Sequence, residues 1–177
     1  MQQRIGQITF TGVESSGKTT LSRRLADATG WPLLPELART DPTVLAGHAG
    51  PADLERLLLT QHDQAQRLAP HRPILCDTGA VVLSIWSEVR FNHPLPQAEA
   101  IARSTALYIL TAPDLPWEPD PLRSSPTLSE RLELHDRYLH RLAAWDLPYV
   151  LIRGNALEGR FQQAVTALRK AGFAISE

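Results

Sequence analysis

Eight residues carry the clearest chemistry in this chain: Gly12-Val13-Glu14-Ser15-Ser16-Gly17-Lys18-Thr19. They spell G-x-x-x-x-G-K-[ST], a spacing that grips a phosphate chain. Gly12 and Gly17 let the backbone turn tightly and approach an anion with no side chain in the way. The amides from Val13 to Thr19 are then free to line up at a helix N-terminus and cradle phosphate oxygens. Lys18 is expected to reach the β- and γ-phosphates, Thr19 to offer its hydroxyl to Mg²⁺, and Thr20 to face the α-phosphate. Lys18 is one of only two lysines in the chain, the other being Lys170; the remaining basic residues are arginines.

Other residues could complete a phosphoryl-transfer site. Asp77 ends the apolar run Pro73-Ile74-Leu75-Cys76. An acid there either holds Mg²⁺ through a water or caps the next helix. Glu36 closes the segment from Trp31 to Pro35 and is followed by Arg39. A carboxylate at this place either takes or orients the proton of a substrate hydroxyl, while Arg39 holds substrate or pairs with Glu36. Arg123 lies in a stretch with five prolines, residues 112–126, and Arg131 follows it. Either arginine could close over the charge that spreads on a transferring phosphoryl group. Trp86 and Trp117 are candidates to stack on a base or a pyridinium-like ring, whereas Trp31 and Trp145 read as core. The six histidines lack metal-ligand spacing, and Cys76 reads as an inert core residue.

These side chains need a scaffold. Apolar strand-like runs alternate with helical patterns, which implies a parallel sheet covered on both faces. The strands are expected near 4–11, 31–35, 73–77, 106–110 and 149–152, the second of them at an edge because of its prolines. Helices are expected over 18–29, with Gly30 as its stop, then 51–68, 81–89, 97–103 and 127–145, and from Asn155 to near Gly172. Residues 40–50 read as loop. Thr127 and Glu130 have the spacing of a capping box. The fold class is α/β: a P-loop NTPase, a three-layer sandwich with a five-stranded, mostly parallel sheet and a Pro-rich lid over about 112–126. One domain spanning 1–177 is expected. In such sheets ligands sit beyond the carboxyl ends of the strands, where Gly12, Glu36, Asp77 and the lid converge.

Composition narrows the partners. With a net charge of −1, bulk charge points to neither nucleic acid nor membrane. No apolar stretch approaches the roughly 20 residues of a membrane span. The start Met1-Gln2-Gln3-Arg4-Ile5-Gly6 lacks the apolar core of a signal peptide. A single cysteine forbids an intrachain disulfide, so a reducing cytoplasm is expected. Nothing in the chain specifies an oligomer. It holds no Asn-Lys-x-Asp segment for reading guanine, which argues against a GTPase.

Several segments taken together resemble a known family: the P-loop with Thr20, Pro35-Glu36-Leu37-Ala38-Arg39, Asp77-Thr78, Ile85-Trp86-Ser87-Glu88-Val89, and the run from Asp114 through Trp117 and Asp120 to Arg123. The sequence is similar here to the ribosylnicotinamide kinase-like P-loop ATPases, over about residues 5–155. The resemblance implies an ATP-dependent kinase that phosphorylates the 5′-hydroxyl of nicotinamide riboside. It also implies Asp77 near Mg²⁺, and Asp120 and Arg123 in the lid. The family commonly has an acid two residues after Asp77, where this chain has Gly79. Other acceptors therefore stay open: another nucleoside or metabolite, or water alone in an ATP-binding regulatory ATPase.

Overall fold

A computed structural model describes residues 4–68, 71–120, 123 and 125–175. Five strands are formed: β1 (Gln7–Thr11), β2 (Leu33–Leu34), β3 (Ile74–Asp77), β4 (Thr105–Thr111) and β5 (Tyr149–Ile152). All described pairings are parallel, in the order β2-β3-β1-β4-β5, and β2, flanked by Pro32 and Pro35, is at the expected edge. The sheet is thus wholly rather than mostly parallel.

Among the described residues six α-helices connect the strands, α1 (Lys18–Thr29), α2 (Pro42–Leu45), α3 (Pro51–Leu68), α4 (Ala80–Phe91), α5 (Ala98–Arg103) and α6 (Leu128–Ala144), and α7 (Leu157–Lys170) follows β5. Alternation along the strands splits the core in two. Tyr108 and Leu110 of β4 join Leu54, Leu57, Val81 and Leu142 under α3, α4 and α6. Leu107 and Ile109, with Ile8 and Phe10 of β1, join Leu21, Leu25, Phe161 and Leu168 under α1 and α7. The result is the expected three layers.

Chain punctuation explains most boundaries. Gly30 takes the left-handed conformation and returns its N–H to Ala26, ending α1. The Thr127–Glu130 capping box forms with both of its reciprocal bonds. Two expectations are corrected. Residues 40–50 contain α2, opened by Asp41, whose carboxylate accepts from the amides of Thr43 and Val44 ahead of Pro42 at the first turn. The last helix starts at Leu157 instead of Asn155, with Ala156 at its N-cap and no side-chain bond there. Among the described residues, no helix is long and apolar enough to cross a membrane.

Candidate functional site

A cavity of about 360 Å³ opens at the carboxyl ends of β1 and β3. Its floor is the loop between β1 and α1. Gly12 has φ +128, and a Cβ there would lie 2.7 Å from the Thr111 carbonyl oxygen. Gly17 has φ +81, and its Cβ would lie 2.8 Å from Leu115 Cδ1. Only glycine fits either place without displacing neighbours. Ser16 Oγ donates to the Val13 carbonyl at 2.6 Å and meets Thr111 Oγ1 at 2.6 Å, locking the loop to β4. Lys18 Nζ donates to the carbonyls of Gly12 (2.9 Å) and Val13 (2.6 Å). Burial pulls the Lys18 pKa down, while the Glu36 and Asp77 carboxylates oppose that shift. Gly12, Glu14, Ser15, Ser16, Gly17, Lys18, Thr19 and Thr20 line the cavity. The Val13 side chain is fully buried, so only its backbone serves the loop.

Acids and aromatics form the opposite wall. Asp77 ends β3 and is 2% exposed, with an Oδ1 that meets no hydrogen-bond donor among the described residues. A buried acid with an unused oxygen, whose charge acts on Lys18 of the P-loop, fits a Mg²⁺ site. Thr78 follows with φ +77, its carbonyl held by Gln61 at 2.8 Å. Glu36 lies just past β2, before the short turn Leu37–Arg39, and lines the cavity. Arg39 bridges Glu36 and Asp120, at 2.8 Å from each. Val82, Ile85, Trp86 and Val89 of α4 and Leu134 and Tyr138 of α6 supply an apolar wall.

The Pro-rich segment lies over the loop and is tied to it. Trp117 Nε1 (3.1 Å) and the Ser125 amide (2.6 Å) both donate to Glu14 Oε1. The Glu118 amide donates to Ser15 Oγ at 3.1 Å. Arg123 reaches the cavity wall and donates to the Glu118 carbonyl. Pro121, Leu122 and Ser124 of the expected lid lie outside the described residues.

A family model described as AAA domain matches residues 7–160. The chain belongs to this AAA domain family. NadR protein in complex with NR shares the fold with a TM-score of 0.73 and 21% identity, covering 98% of this chain and 53% of that one. NadR with NAD and AMP-PNP gives a TM-score of 0.72 and 22% identity, covering 98% and 51%. This AAA domain therefore spans about half the length of those two chains. Thymidylate kinase from Candida albicans gives 0.66 and 13% identity, covering 100% and 97%. No curated protein matches the sequence.

Within this AAA domain the expected residues divide. Lys18, Glu36, Arg39, Trp86 and Arg123 meet around one cavity with the P-loop. Asp77, buried at the end of β3, is absent from the cavity lining. Trp117 and Asp120 belong to the lid's fastenings and are absent from the cavity lining. Arg131 does not line the cavity: it is 5% exposed and donates to the Leu115 carbonyl at 2.8 Å, bracing the lid from α6. The neighbouring helix turns present Glu130, Glu133 and Arg137 to the cavity. Sequence reading also passed over Arg160, fully buried behind the P-loop. Its signal was there: it falls on the stripe Arg160, Phe161, Ala164, Val165, Leu168, where every other member is apolar. Gly79 has a packing reason, since a Cβ on it would lie 2.8 Å from Thr9 Cγ2.

Proposed function

We propose that residues 1–177 form one kinase unit that transfers the γ-phosphate of ATP to a nucleoside-like hydroxyl, with nicotinamide riboside as the first acceptor to test. The observation that carries this reading is a single cavity with a phosphate cradle at one end and Glu36 beside an aromatic, apolar wall at the other. The P-loop amides bind the phosphates, and Lys18 exchanges the Gly12 and Val13 carbonyls for phosphate oxygens. Glu36 receives the proton of the acceptor hydroxyl, or orients it for attack. Arg123 leaves the Glu118 carbonyl to neutralise charge on the transferred group. Trp86 offers a face for the acceptor's ring. Bound Mg²⁺ supplies charge neutralisation on the phosphates, with Thr19 and Asp77 as the residues to hold it. The family resemblance and the kinases among the fold's neighbours support this assignment, and they motivate placing it in cytoplasmic NAD biosynthesis.

The test is direct: incubate the protein with ATP, Mg²⁺ and mixed nucleosides, nicotinamide riboside included, and identify the compound that gains phosphate. Nicotinamide mononucleotide is the expected product. A different phosphorylated nucleoside would keep the kinase and replace the acceptor. Phosphate released to water alone would replace the kinase by a regulatory ATPase.

A further inference from the structure

Arg160 is 2% exposed on the apolar stripe of α7, a position where a charge is costly unless its donors are all used. Its guanidinium gathers three separate segments. Nη1 donates to the Ser16 carbonyl at 2.6 Å, in the P-loop. Nη2 donates to the Ala112 carbonyl at 3.1 Å, just after β4. Nε donates to the Gly154 carbonyl at 2.5 Å, after β5. Asp114 lies 3.7 Å from Nη2 and accepts the Gly154 amide at 2.6 Å, so the charge is compensated from the same cluster.

The Ser16 carbonyl belongs to the peptide unit whose N–H is that of Gly17. The bond is trans, so the two groups point in opposite directions. Drawing the carbonyl back onto Arg160 turns the Gly17 N–H forward, and Gly17 lines the cavity. We propose that Arg160 is a positioning residue of the phosphate cradle: it fixes the Ser16–Gly17 peptide so that the Gly17 N–H aims at bound phosphate, and it couples that peptide to the ends of β4 and β5. This rests on the reading of the cavity as a triphosphate site. Arg160 does not touch the ligand; it acts through the backbone that does.

A role confined to holding the fold would weaken every ligand alike, whereas a turned Gly17 amide weakens the phosphate-dependent part of binding. The experiment compares Arg160→Lys and Arg160→Met with the parent protein, measuring the affinities for ATP and AMP by calorimetry with Mg²⁺ and the fold by circular dichroism. Lysine keeps the charge but offers one nitrogen where Arg160 uses three, in a fixed planar fork. Arg160→Lys is expected to stay folded and to lose about tenfold in the ATP-to-AMP affinity ratio. KM for the acceptor should stay within about twofold. An unchanged ratio in a folded Arg160→Lys protein would overturn the inference and leave the proposed function standing. Unfolding of both variants would also overturn it, because Arg160 would then be a residue of the fold. Absence of ATP binding by the parent protein would remove the proposed function, and the inference with it.

Discussion

Lys18 is half-buried at the cavity and donates to two carbonyl oxygens. Burial pulls its pKa down, and the Glu36 and Asp77 carboxylates oppose that shift. Because its present acceptors are two loop carbonyls, Lys18→Ala should leave the fold intact while lowering kcat/KM by roughly 100-fold or more, read from steady-state kinetics beside a thermal melt. Near-normal turnover would remove Lys18 from the chemistry. Gly79 poses a different question. Restoring an acid there should destabilise the protein by about 1–3 kcal/mol, because the new Cβ meets Thr9 Cγ2. Adding Thr9→Ser deletes that methyl and keeps the hydroxyl bonded to Gln7 and Thr105, so the double variant should recover most of the loss in urea denaturation. No recovery would mean that another contact rejects the acid. The P-loop was legible in the sequence because its chemistry and its spacing are both local. Arg131 and Arg160 were not: each is an arginine on a helix, and only tertiary packing decides which way that helix face points.

At the level of elements, α2 shows how a short helix escapes periodicity. Four residues are too few for an apolar repeat, and the signal was instead the cap, Asp41 before Pro42. Desolvation pushes the Asp41 carboxyl up, but Arg56 at 2.8 Å and the amides of Val44 and Thr43 outweigh it and hold the group below its ordinary value of 3.8. A depressed carboxyl pKa contributes stability above the unfolded value and loses it as pH falls through the folded one. Asp41→Ala should therefore cost about 1–2 kcal/mol at neutral pH. The gap to the parent protein should close as pH drops below 3.8, followed by chemical denaturation across pH 2–7. A gap independent of pH would assign the cost to packing. The element matters to the site because Asp41 stands two residues from Arg39, whose bridge from Glu36 to Asp120 joins the end of β2 to the lid.

For the whole molecule, alternation of strands and helices specified a parallel sheet but not its order. The prolines beside β2 marked it as an edge, but that β1 lies between β3 and β4 depends on crossovers whose direction no local residue declares. This order buries Cys76 in β3 between Thr9 of β1 and Leu34 of β2. Burial and the neighbouring Asp77 push its thiol up to about 12, so almost no thiolate exists at neutral pH in the folded protein. Reagent then reaches Cys76 chiefly through opening of the sheet, and its labelling rate reports the stability of the whole molecule. A nucleotide that binds only the folded chain stabilises it by RT ln(1 + [L]/Kd), about 2.7 kcal/mol at a hundredfold excess over Kd. ATP with Mg²⁺ at that excess should slow labelling by roughly 100-fold. Urea below the unfolding midpoint should speed it in proportion to the lost stability. Fast labelling in native buffer would show that β3 opens locally. Labelling that ignores ATP, under conditions where calorimetry shows it bound, would show that the cradle can be occupied without holding the sheet closed, and the rigid link from Thr111 through Ser16 to the P-loop would lose its meaning.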